Sequence, residues 1–436
     1  MIKNRLRRVY ITVTALVMAG ALAACGTTGT SGAEANKEAT TAVTEAEAED
    51  VKEIFTERDL EQTADLSEAE KITLTSGQDV NITKEGVYVL SDEAEDVTVN
   101  IEADDQDKVQ IVLDGVTVKN SGEPFIYVKS ADKVFVTTTE SENSVEVSGE
   151  FKADGDTNVD AAIFSKDDMV LNGLGTLNIT SSDNAVSCKD TLKITGSTLN
   201  ISCSGSGLEA HDAVKVYDGT INITECNDGI HAEDNDDDSI GAVYIAGGTF
   251  NITAEDDAIH ATTTIDINGG NFTLNAGECI EGTYITINDG TLDITASDDG
   301  INAAQKSDQY TPTFILNGGT VTVNMGAGDT DGVDSNGNIY INGGTISITG
   351  QSTFDYDGEA EYNGGTIIEN GEETNTISSQ TFGPGGMGGP GEFRPDGDFQ
   401  PDENFQPDES FRPDENFKPD DNFRPDRKNQ SEGGEI

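Results

Sequence analysis

The chain has 436 residues, with 82 acidic against 25 basic side chains, a net charge of −57 and no tryptophan. That balance excludes a nucleic-acid backbone as the partner, because such sites are basic. So much self-repulsion in a folded body implies that cations belong to the structure.

The chain opens with a basic segment, Lys3, Arg5, Arg7 and Arg8, followed by an apolar run from Ile11 to Ala21. The run is too short to cross a membrane as a helix and reads as a targeting segment. It ends in Leu22-Ala23-Ala24-Cys25-Gly26, which resembles the bacterial lipobox. The expectation is a signal peptide over 1–24 and a lipid on Cys25, anchoring the protein to the outer face of a bacterial cell membrane. An ordinary secretory signal with a chance cysteine is the alternative. Residues 25–70 are rich in Ala, Glu and Thr and predict a solvated acidic tether, with Asp50–Gln62 read as a short helix.

From Lys71 the pattern changes to alternating apolar and polar residues with turn signals every 8–12 positions, which argues for strands. From Thr176 to Thr366 the chain repeats itself. Thr220 starts TINITECNDGIHA, Thr249 starts TFNITAEDDAIHA and Thr291 starts TLDITASDDGINA. Weaker copies start at Thr176, Thr198, Asn271, Thr320, Thr345 and Thr366. Most starts lie 20–25 residues apart, and the 29-residue intervals carry insertions near Glu233–Gly241 and Gln305–Thr313. Each unit holds two short strands, a glycine turn and an acidic corner, which predicts an all-β solenoid of the parallel β-helix type over 71–372. Stacking at about 4.8 Å makes equivalent positions into columns. Ile230, Ile259, Ile280, Ile301 and Val333 form the inward one, with His231, His260, Glu281, Asn302 and Asp334 outward beside it. Cys188, Cys203, Cys226 and Cys279 read as buried small hydrophobes, although Cys203 and Cys226 lie close enough in register for a bridge to be conceivable. Residues 373–436 begin with a Gly/Pro linker and continue with Phe at 393, 399, 405, 411, 417 and 423 in an F-x-P-D hexad. Proline at that spacing predicts a disordered tail, or a multivalent one with the Phe residues as anchors.

Three runs carry a resemblance: VQIVLDGVTVKNS from Val109, FIYVKSADKVFVTTTE from Phe125, and AAIFSKDDMVLNGLGTLNITSSDNAVSCKDTLKITG from Ala161. In order and wording they resemble the carbohydrate-binding β-helix family first described from cellulolytic clostridia, over about residues 71–370. The resemblance implies a right-handed parallel β-helix similar to that of pectate lyases, a pectin-lyase-like solenoid. It also implies a surface protein that binds calcium and acidic polysaccharide such as polygalacturonate, and also cellulose. One departure is His211, where the family's corner has lysine.

The acidic corners are the first candidate site. Asp228, Asp256, Asp257, Asp298, Asp299, Asp329 and Asp331 recur at one place in successive repeats, and Asn184, Glu209, Glu278 and Glu281 extend that face. Stacked carboxylates repel unless a cation lies between them, and calcium takes six to eight such oxygens. A second column is Asp167, Asp190 and Asp212, and a separate loop offers Asp234, Asp236 and Asp238. The alternative for any one aspartate is turn chemistry. His211, His231 and His260 are read as one column in three successive repeats, either a ladder of polar rings or a shared transition-metal site. An eliminase would need a basic side chain, and no arginine lies between Arg58 and Arg394. Lys166 or Lys189 beside the second acid column would have to serve. Lys193, Lys215 and Tyr244 are outward mid-strand and are candidate sugar contacts. Three readings follow: a monomeric surface binder of acidic polysaccharide through calcium, a calcium-dependent polysaccharide lyase, and a calcium-rigidified adhesin whose tail makes the contact.

Overall fold

The computed structural model describes residues 51–326 and 330–379. The expected signal peptide, Cys25, Asp329 and the F-x-P-D hexads all lie outside them.

Alternation in the sequence becomes alternation in burial. In Thr291–Ala296 every second side chain is buried, with Leu292, Ile294 and Ala296 turned inward and Thr291, Asp293 and Thr295 outward. A strand so patterned has one face to bury, and the next repeat supplies its neighbour in register. Thr176–Ser181 pairs in parallel with Thr198–Cys203, which pairs with Thr220–Glu225, and so on through Thr249–Thr253 and Asn271–Ala276. The column continues through Thr291–Ala296, Thr320–Met325 and Thr345–Thr349 to Thr366–Glu369. Two further columns form in the same way, so each rung has three strands. In the corner column the strands Leu208–Ala210, Ile230–Ala232 and the first part of Asp257–Ile267 follow the corners, acidic in the latter two. In the lead column the strands Ala213–Val216 and Ala242–Ile245 precede the glycine turns. The fold is all-β and parallel throughout, except that Glu372–Thr374 turns back antiparallel on Thr366–Glu369. Ser379 still bridges Phe354, so the folded body runs past residue 372.

The expected inward column is buried without exception: Ile230, Ile259, Ile280, Ile301 and Val333 are all 0 % exposed. Asparagine ladders reinforce the stack outside. The side-chain amide of Asn200 donates to Asn178, Asn222 to Asn200 and Asn251 to Asn222, each at 2.8 Å. A second ladder climbs from Asn268 through Asn288, Asn317 and Asn342 to Asn363. Glycine is required where rungs come closest. Gly270 has φ +111°, and a Cβ there would stand 3.1 Å from the carbonyl of Gly248. At the Asp-Gly-Ile corner a Cβ on Gly229 would lie 2.5 Å from the Ala258 carbonyl. The four cysteines among the described residues are free and buried.

Residues 51–62, assigned above to the tether, are instead laid against the rungs. A single helical turn, residues 51–54, leads into Phe55, which is 1 % exposed. Asp59 is fully buried and binds Lys193 Nζ at 2.8 Å and Lys133 Nζ at 3.3 Å. Gln62 donates to the Thr195 carbonyl and accepts from the Gly173 N–H. This strap has no repeat to announce it. What seats it is one aromatic side chain, a buried aspartate shared by two lysines, and the amide of Gln62.

Candidate functional site

The repeat is broken twice by insertions, and both breaks reach one place. The loop after Ile230–Ala232 and the loop after Ile301–Ala303 touch where the Asp308 N–H donates to Asp238 Oδ2 at 3.2 Å. Between them the outward face of the corner column carries Glu209, His231, His260, Glu281, Asn302, Asp334 and Asp355 in register. The expected column is therefore present from His231 to Asp334. His211 is not part of it: Glu209 pairs with His231, and His211 sits two residues on, against Asp234 at 3.2 Å.

The two remaining histidines lie face to face, with ring centroids 4.7 Å apart and planes 25° apart. His231 Nδ1 is 3.0 Å from Asp228 Oδ2 and its Nε2 is 3.0 Å from Glu233 Oε2. His260 Nδ1 is 2.9 Å from both Asp257 Oδ2 and Glu281 Oε2. Lys306, from the second insertion, reaches Glu281 Oε1 at 2.8 Å. Burial alone would lower both histidines, but these carboxylates outweigh it and raise His231 to about 10 and His260 to about 9. Burial likewise acts to raise Glu281, and the hydrogen bonds from His260 and Lys306 overcome it, holding the carboxyl down at about 2. The arrangement is a pair of stacked imidazoles ringed by carboxylates, in which imidazolium and ammonium groups fill part of the cationic role expected of calcium.

Beside these cations and further along the stack the acids continue. Burial and its acidic neighbours push Glu278 up to about 8. Burial with Asp331 and Asp298 raises Asp299 to about 6, and burial with Asp299, Asp331 and Asp355 raises Asp334 to about 7. The Asp331 N–H donates to Asp299 Oδ1 at 2.9 Å. Asn302 spends its amide nitrogen on Glu278 Oε2 at 2.9 Å, while its Oδ1 is buried with no hydrogen-bond partner. An oxygen-only set with an idle amide oxygen fits calcium by donor type.

The double-acid corners are split by their geometry. Asp257 is buried and Asp299 half-buried, but Asp256 and Asp298 are exposed. Asp228, Asp256 and Asp257 can each offer an oxygen within 4.8 Å of the others, yet His231 and His260 already engage two of them. The second column forms at the other ends of the corner strands, with Asp167, Asp190 and Asp212 in register. There burial and the neighbouring Asp212 raise Asp190 to about 6.

The basic candidates are engaged. Lys189 Nζ is 3.3 Å from Glu209 and 5.6 Å from the Phe164 ring, and Lys166 lies over Tyr127 at 5.7 Å. Lys193, expected to meet sugar, is only 8 % exposed and binds Asp59 and the Ile54 carbonyl of the strap. Lys215, next in that column, is half-buried, and burial with the adjacent Lys193 lowers it. Tyr244 stands 6.2 Å from Phe55. The strap thus covers the surface offered as a sugar contact. Sequence reasoning missed Asn302 and Asp334 as site residues, although their place in the outward column was evident.

A protein of Acetivibrio thermocellus described as a carbohydrate-binding domain-containing protein is 32% identical over 125 residues, which is 28% of this chain and 44% of the relative. The chain therefore matches less than half the length of that relative. A solved structure described as a polysaccharide lyase-like protein from C. thermocellum, a gadolinium derivative, is 21% identical. It aligns over 69% of this chain and 96% of its own with a TM-score of 0.33. The family model described as carbohydrate-binding domain-containing protein matches residues 76–326 and 278–382, which is most of the chain, so the chain belongs to the carbohydrate-binding domain-containing family.

Proposed function

We propose that the protein binds an acidic polysaccharide of the polygalacturonate class through calcium held along the corner column, and that a lipid on Cys25 displays it on the outer face of the bacterial membrane. The observation that carries the reading is the stretch holding Glu278, Asp299, Asp331 and Asp334. Carboxylates stack there in successive rungs, and burial together with acidic neighbours raises Glu278, Asp299 and Asp334. Asn302 Oδ1 sits in the same column, buried and idle. These oxygens would hold calcium, which supplies the positive charge that uronate carboxylates need beside so acidic a surface. A protein of charge −57 repels such a polymer otherwise. The same reading takes the three-strand rungs as a right-handed parallel β-helix, the hand favoured for crossovers between parallel strands.

Retention on immobilised polygalacturonate, with calcium and with EDTA, tests the proposal. Binding is expected in calcium only, and the double substitution Asp299→Asn with Asp334→Asn is expected to weaken it at least about tenfold, given what losing one charged ligand costs. Retention that ignores the chelator sinks the calcium bridge.

A further inference from the structure

We propose that His231, His260 and Glu233 form a site for a first-row divalent transition ion, separate in chemistry from the oxygen-only rows. Each imidazole has its Nδ1 against a carboxylate three residues earlier, Asp228 for His231 and Asp257 for His260. Both Nε2 atoms are thereby left for another partner. His231 Nε2 meets Glu233, while His260 Nε2 is buried with no hydrogen-bond partner in a residue only 5 % exposed. One ligand atom from each of the three side chains lies within 4.8 Å of the other two.

A carboxylate behind a histidine is the usual support of a metal-bound imidazole, since it fixes the ring and makes the outer nitrogen more basic. Two histidines and one carboxylate suit zinc, iron or nickel, whereas calcium selects oxygen. Bonds of about 2.0–2.1 Å require the ligand atoms, now within 4.8 Å of one another, to draw closer, so the rings must tilt toward the ion when it binds. The dication would enter among the carboxylates of Asp228, Glu233, Asp257 and Glu281, which stand around the two rings at 2.9–3.0 Å. The first insertion begins at Glu233, directly after the strand that carries His231, so the break in the repeat is what delivers the third ligand.

Titration of the purified protein with cobalt(II) in saturating calcium reads this site apart from the calcium rows. We expect one equivalent bound with visible ligand-field bands. His231→Gln and His260→Gln should abolish the bands. Glu233→Gln removes a half-exposed loop carboxylate and leaves the rungs intact. It should weaken cobalt at least about tenfold, while Asp228→Asn should weaken it about ten- to hundredfold. Circular dichroism of the metal-free variants confirms that each is folded. Absence of ligand-field bands in the parent protein overturns the proposal, and so do bands and affinity unchanged in Glu233→Gln. Polygalacturonate retention in calcium without transition metal is a separate readout, so either proposal can fail alone.

Discussion

At the scale of one residue, an acidic side chain here is defined by what stands beside it. Glu281 and Glu278 are three residues apart on one strand, yet the first is held at about 2 and the second pushed to about 8. His260 and Lys306 account for the difference. Asp266 shows the limiting case, a half-buried carboxyl raised from 3.8 to about 6 by burial alone. Between those values the folded chain holds a proton that the unfolded chain has lost, so this group lowers stability as pH rises from about 4 to 6 and costs its full amount above that. Asp266→Asn is therefore expected to match the parent below pH 4 and to exceed it at pH 7.5 by no more than about 3 kcal/mol. Urea unfolding at both pH values checks this. An equal or lower midpoint for the variant at pH 7.5 would mean that Asp266 has a favourable partner in the folded state.

At the scale of the element, the rungs and the strap are held by different means. A rung strand is fixed by two parallel neighbours and an inward apolar row, whereas the strap rests on Phe55, Asp59 and Gln62. Phe55→Ala removes its one buried aromatic, a change that costs about 3–5 kcal/mol where the whole structure shares the loss. Here the segment can open by itself. Hydrogen exchange is expected to lose protection over 51–62 while 198–369 stays protected, and Lys193 should become open to acylation. A parallel loss of protection in the rungs would show instead that the strap is part of the main cooperative unit. The contrast also explains what the sequence made legible. A repeat states its register many times, so the inward isoleucines and the pairing of His231 with His260 could be read by alignment of Ile230 with Ile259. The strap states its contacts once, across more than 130 positions in sequence from Asp59 to Lys193, and no periodicity reveals that. His211 was misplaced because its rung has a glycine–serine corner, Gly205-Ser206-Gly207, in place of the acidic one. The exposure of Asp256 beside buried Asp257 depends on the turn of the corner, which a run of two aspartates does not encode.

At the scale of the whole molecule, the net charge of −57 poses the question of whether cations bind at sites or only screen. The two possibilities separate by concentration. Screening follows ionic strength and shortens the Debye length to about 8 Å at physiological salt whatever the ion. Binding adds stability as the logarithm of free ligand over its dissociation constant, about 2.7 kcal/mol at a hundredfold excess for one site. Thermal melting at constant ionic strength, with calcium replacing sodium, is thus expected to rise steadily with calcium. The increment should be about 1.5 °C for each kcal/mol in a body of this size, from an unfolding entropy of about 2.1 cal/mol/K per residue. The stacked rungs interact with nearest neighbours, so the gain should be largest for the rungs from Glu278 to Asp355 and smaller for those before Thr176. Asp299→Asn with Asp334→Asn should lose the calcium increment and keep the sodium one, because it removes ligands while scarcely changing the total charge. A parent protein that gains nothing from calcium at fixed ionic strength would show that the acid rows need only screening, and the carboxylates would then be a solvated face.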